Sequence, residues 1–285
     1  MPDSYIVHKT PERFCYAFGR ILEEKYSQVR SNTWITAITC LLDVLQVGIP
    51  VSLKNQAEFA GMWKALAPCL ENFLFCPNEA PSSLTAEEHE EHEALDVRVV
   101  SLLRDEVLPH SDAVPRPFLV HAMNLLNRGS IHSAAQGPFI DTESSRTLRE
   151  DFAKTCFETL LQFSFISKQA AWAEGSLTKL AVSALVQRCH AVLCKYVEDE
   201  RLSGKCPLPR ARTSEMTSVL KAIATLLVTL KKSEVTDVDE DIWRQVIDMY
   251  PVLVDCTIST CPRVSKALRQ ALQEYGGLLH HPTKK

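Results

Sequence analysis

Apolar residues in this chain recur at three- and four-residue intervals, the spacing of one face of an α-helix. Phe14, Phe18, Ile21, Leu22 and Tyr26 keep that rhythm behind Thr10–Pro11, a capping hydroxyl followed by proline at the first helical position. A second helix is predicted over 33–47, stopped by Gly48 and Pro50. A third, over 52–75, contains Pro68 and is expected to kink or break there. A proline-containing loop near 76–84 precedes a helix over 86–107. Three prolines break the pattern near 109–117, a short helix covers 118–127, and 128–144 reads as a glycine-containing loop.

The later half is more regular. Phe152, Cys156, Phe157, Leu160, Leu161 and Phe165 make one wide stripe on a helix over 145–166. From Leu177 through Leu185, Cys189 and Leu193 to Tyr196 the apolar spacing holds for over five turns. A basic, proline-rich loop near 201–212 follows, then helices over 214–232, 238–257 and 262–279. No strand pattern competes. The pattern predicts an all-α fold, a HEAT/armadillo-like α-solenoid of about five antiparallel helix pairs forming one domain over 1–285. Such a pair cannot bury its own apolar face, so neighbours stack and share a core. The rival arrangement is a compact irregular bundle.

Composition supports helices: nine glycines is a low number for this length, and fifteen prolines punctuate the apolar runs. A net charge of −4 and no stripe of interleaved basic and aromatic residues set nucleic acid aside as a partner. Of ten cysteines, Cys15, Cys40, Cys156, Cys189 and Cys194 fall in apolar stripes and read as small hydrophobes in a reducing compartment. The opening residues lack the apolar run of a signal peptide. The longest apolar stretch, 219–230, contains Lys221 and is too short to cross a bilayer. A cytoplasmic protein, or one held peripherally on a membrane, is expected, with no transmembrane segment.

The chemistry is sparse. Residues 85–96, TAEEHEEHEALD, set His89 and His92 three apart, whereas a zinc-protease helix needs two histidines four apart. Thr85 and Glu88 instead form a capping box, so this stretch reads as a solvated helix start. Cys189 and Cys194, like Cys256 and Cys261, lack zinc-ribbon spacing. No nucleophile elbow, P-loop or dinucleotide fingerprint occurs. The expectation is a protein that is not an enzyme and uses no metal or cofactor. One segment invites a binding role: Arg201, Lys205, Arg210 and Arg212 crowd one predicted loop, readable as a docking surface for an acidic partner or anionic headgroups, or as a stiff soluble linker.

Residues 150–165, EDFAKTCFETLLQFSF, 195–232, KYVEDERLSGKCPLPRARTSEMTSVLKAIATLLVTLKK, and the late segment SKALRQALQEYGGLLHHP resemble the C-terminal region of the monensin-sensitivity, or Mon-two, family of Golgi scaffolds. That resemblance implies a long helical-repeat scaffold, related to the large Arf exchange factors but without their catalytic domain. It further implies a peripheral protein of trans-Golgi and endosomal membranes, acting in endosome-to-Golgi transport. The implied partners are a Dopey-family protein, a phospholipid flippase and an Arf-type GTPase. The chain is far shorter than a full member, so it reads as a C-terminal fragment or short isoform. The family has no catalytic residues to transfer. The alternative role is regulation of an Arf-type small GTPase or of its exchange factor.

Overall fold

A computed structural model of the chain describes residues 18–27, 31–75, 85–111, 113–130, 149–164, 177–204, 206–232 and 240–279. Among these residues the regular elements are all helical, and no strand occurs. They gather into two compact units: one takes the described residues up to Ser130 together with 149–159, the other those from Leu160 onward.

The first unit opens with a helical turn ending in a 3-10 segment, Glu23–Tyr26. Helix α1, Thr33–Ser52, does not stop at Gly48 and Pro50 as its sequence predicts. Ile49 is fully buried and holds the last turn in place, and that burial outweighs the one donor Pro50 lacks. Helix α2, Gln56–Leu74, starts later than predicted, after Asn55, whose side chain accepts the Ala57 N–H at 3.2 Å. It runs on through Pro68.

Helix α3, Ala86–Leu102, begins with the expected capping box: the Glu88 N–H donates to Thr85 Oγ1 at 3.2 Å, and the Thr85 N–H donates to Glu88 Oε2 at 2.7 Å. Its end widens into a π-turn, Leu103–Val107, where the Leu108 N–H reaches back five residues to the Leu103 carbonyl. Pro109 follows directly in a 3-10 turn. In a regular α-turn its ring would crowd the Asp105 carbonyl, and the wider turn relieves that clash. Helix α4 spans Arg116–Gly129 and α5 spans Glu150–Phe163.

Packing in this unit pairs α1 with α3 and α2 with α4. Phe59 and Trp63 of α2 meet Phe118 of α4, with ring centroids 5.0 and 3.7 Å apart. Gly129 is needed where it stands, because a Cβ there would lie 2.5 Å from Cys156 Sγ on α5. A buried polar knot ties the rest. Asp96 of α3, 2% exposed, takes Lys25 Nζ at 2.6 Å and Arg149 Nη2 at 2.8 Å. Those cations also serve the C-terminus of α2, whose last carbonyls have no helical donor. Lys25 and Tyr26 donate to the Phe73 carbonyl, and Arg149 donates to that of Leu74.

The second unit contains α6, Leu177–Ser203; α7, Arg210–Lys232; α8, Glu240–Asp255; and α9, Pro262–Leu279. Helix α6 packs on α7, but the heaviest pairings are α6 with α8 and α7 with α9. Each helix thus lies on the next but one, as α1 and α2 also do in the first unit. That is the stacking of a helical-repeat solenoid, and the all-α repeat class is observed. Ala181, Leu185, Cys189, Val192, Leu193 and Tyr196 of α6 are buried as their spacing predicts, whereas Leu180 of the same stripe is exposed and Val182 and Val186, outside it, are buried. Leu161 of α5 is only half-buried, and its neighbour Leu160 takes the core position instead. Cys156 and Cys189 are buried as predicted, whereas Cys40 and Cys194 are exposed; Cys15 lies outside the described residues.

Candidate docking surface

Cys194, Val197, Glu198, Arg201 and Leu202 recur at helical spacing and so share one side of α6. Together with Val252 and Asp255 of α8 they line an open groove of about 370 Å³. Its walls are apolar, and Arg201 and Asp255 meet across it at 3.3 Å. Leu202 at its edge is 73% exposed. Helix α8 supplies more apolar surface. Ile242, Val246, Met249 and Leu253 complete its buried stripe, yet Ile247, Tyr250 and Val254, spaced 3 and 4 apart, lie exposed on another face. Ile258, just beyond the helix, prolongs that strip. The strip lies on a different side of α8 from the groove's Val252 and Asp255, with the Tyr250 ring 5.4 Å from that of Tyr275 on α9. Exposed apolar strips and open grooves are both surfaces against which an amphipathic helix or an apolar segment of another protein packs.

The groove does not carry nucleophile chemistry. Cys194 lies 3.7 Å from His190 Nδ1, but burial and the Asp255 charge both push its thiol up, away from the thiolate a nucleophile requires. Burial likewise raises the Cys189 and Cys256 thiols to about 12. Cys189 and Cys256 are buried packing residues.

The basic residues singled out in the sequence do not share a loop. Arg201 sits in the last turn of α6, paired with Asp255, and Arg210 is the exposed first residue of α7. Arg212 is a correction. Its side chain is 13% exposed, with Nε 2.9 Å from the Asp199 carboxylate and Nη1 3.2 Å from Glu215. Asp199 is itself 2% exposed, so this arginine holds α6 to α7 and is not offered to a partner. Lys205 lies outside the described residues. His92 is half-buried, with its ring edge-on to Trp34 at 4.6 Å. Burial and the Lys25 charge lower its pKa. Among the described residues no group of three or more His, Cys, Asp or Glu side chains is placed to hold a metal.

The model of the family described as the C-terminal region of Mon2 protein matches residues 4–282. The chain belongs to the Mon2 family. It is 43% identical over 263 residues to the Protein MON2 homolog of Xenopus laevis, covering 92% of this chain and 15% of that protein. It is 42% identical over 266 residues to the Protein MON2 homolog of Homo sapiens, covering 93% of this chain and 15% of that one. With the Drosophila melanogaster Protein MON2 homolog the identity is 46% over 304 residues, 98% of this chain and 18% of the relative. The chain therefore spans less than a fifth of the length of these Mon2 proteins. No solved structure matches it.

In this Mon2-family region, sequence reasoning missed the α8 strip and Asp255. A signal was present: Ile247, Tyr250 and Val254 keep helical spacing outside a core stripe that Ile242, Val246, Met249 and Leu253 already complete. A helix apolar on two faces has more apolar surface than one packing partner covers.

Proposed function

We propose that this Mon2-family chain is part of a non-enzymatic helical scaffold in endosome-to-Golgi trafficking, and that it works by holding protein partners. On this reading it acts peripherally at trans-Golgi and endosomal membranes, and a Dopey-family protein is the partner that occupies the α6–α8 groove. The observation that carries the reading is the apolar surface of this unit left open to solvent: the groove with Leu202 at its edge, and the strip Ile247, Tyr250 and Val254 on another side of α8. A partner covering both would bury the strip under its own apolar residues and meet Arg201 and Asp255 at the groove. Family membership supports the scaffold class, and the raised thiol of Cys194 in the groove fits a surface for packing.

Capture from cell extract tests it. The wild-type chain should enrich a Dopey-family protein over an unrelated helical-repeat control, and Ile247→Asp with Val254→Asp should abolish that enrichment. Both positions are exposed, so the far-ultraviolet helical signal should be unchanged. Equal capture by the double variant overturns the groove assignment. Acceleration of nucleotide exchange on an Arf-type GTPase by the chain alone would replace passive scaffolding with regulation.

A further inference from the structure

The second unit separates its charges by layer. Helices α7 and α9 contain two acids, Glu215 and Glu274, and both are already engaged: Glu215 with Arg212 at 3.2 Å, and Glu274 with Lys231 at 2.6 Å. Of the other cations of these helices whose side chains are described, Arg210, Lys221, Arg263, Lys266 and Arg269 are all exposed and none is in an ion pair with another described residue. Helix α8 is the opposite case, with four acids and a single arginine, Arg244, held by Glu240 and Asp241.

Geometry gathers the free cations. Helices α7 and α9 pack along one another, and Lys231–Glu274 joins their C-terminal turns, so the two run in the same direction. Arg210 and Lys221 lie about three turns apart on one face of α7. Arg263, Lys266 and Arg269 follow at three-residue steps over roughly 9 Å of α9. Gln270 and Gln273 are exposed beside them.

We infer that the α7–α9 face docks an acidic segment of a protein partner. Charge complementarity supports it, because five cations with no ion-pair partner among the described residues face outward on adjacent helices. Three of the five are arginines, whose planar forks match carboxylates in bidentate fashion. A protein segment is favoured over a lipid surface because every exposed large apolar side chain described in this unit lies outside α7 and α9. Surfaces that lie in a membrane interface combine cations with apolar side chains that insert. This surface uses different helices from the α6–α8 groove, so either can fail without the other.

The test is fluorescence anisotropy of a labelled glutamate-rich peptide titrated with the whole chain. Binding should weaken as salt is raised. Arg263→Glu, Lys266→Glu and Arg269→Glu combined should reduce affinity roughly tenfold or more. Reversing Lys54, Lys64 and Arg116, exposed cations of the first unit, changes net charge equally and should leave affinity within about twofold. The inference is overturned if the wild-type chain does not bind the peptide, or if the control triple weakens binding as much. It is also overturned if vesicles of phosphatidylcholine and phosphatidylserine bind the chain more tightly than the peptide does. Ile247→Asp with Val254→Asp should leave peptide binding unchanged, and a loss there would merge the two surfaces into one.

Discussion

Each unit buries one aspartate between two cations, but the two knots work over different ranges. Asp96 joins segments far apart in the chain, reaching Lys25 in the opening turn and Arg149 just before α5. Asp199 joins neighbours, Lys195 in its own helix and Arg212 across the α6–α7 connection. Their surroundings differ in the same way. In the second unit α6–α8 and α7–α9 are long apolar contacts, and the ion pair adds to an interface already made. In the first unit the cations on Asp96 also satisfy the end of α2, so the knot is where three elements meet. The buried aspartate therefore carries long-range order in one unit and local order in the other, where different groups, Tyr196 with Ser259 and Lys231 with Glu274, make the long-range polar links.

The strongest way to break this contrast is Asp96→Asn, which leaves Lys25 and Arg149 buried or half-buried without a counter-charge and should cost ~3–5 kcal/mol. Asp199→Asn should cost less, ~1–3 kcal/mol, because Arg212 keeps Glu215 and Lys195 keeps Glu198. Chemical denaturation followed by circular dichroism measures both, and equal losses would erase the difference. Leu185→Ala probes the apolar side of the comparison and should cost ~2–5 kcal/mol, since the residue is wholly buried in α6. Gly129→Ala comes next: the added methyl meets Cys156 and Phe152 and should destabilise the first unit by ~1–3 kcal/mol, read in the same assay.

Thr85→Ala removes the observed cap of α3 and should cost about 1 kcal/mol. The smallest effect is one of pH. His92 has a lowered pKa, so the folded state binds fewer protons than the unfolded chain; its contribution is complete above about pH 6.5 and fades as pH falls. Burial raises the Glu93 carboxyl, which acts with the opposite sign at lower pH, where protonation favours the folded state. The urea midpoint of the first unit should therefore drop on acidification just below neutrality, and His92→Phe should flatten that slope.

Much of the fold was legible because helical periodicity and capping are local. The Thr85 box, the stripe from Leu185 to Tyr196 and Pro262 opening the last helix all stand as read, while Leu180 of the same stripe is exposed. Errors arose where tertiary packing overrode a local signal, as when burial of Ile49 carried α1 past Gly48 and Pro50. The site was less legible for the same reason. Arg212 resembled its neighbours in a basic stretch until Asp199 and Glu215 enclosed it, and Lys25 gives no hint of an aspartate 71 residues away. Periodicity shows that α8 has apolar residues on two faces, but which face stays bare depends on where α6 and α9 lie.

The widened turn at Leu103–Val107 means that this stretch holds one residue more than an uninterrupted α-helix would need to cover the same rise. Cutting a residue from Arg104–Glu106 would restore even winding and keep the flanking segments in register, so Val107 and Leu108, now both buried, would stay on the core side. What would be lost is the room made for Pro109, whose ring would press on the backbone one turn ahead of it. The extra residue is therefore a spacer for the proline rather than a carrier of side-chain contacts, in keeping with the three charged side chains, Arg104, Asp105 and Glu106, at its centre.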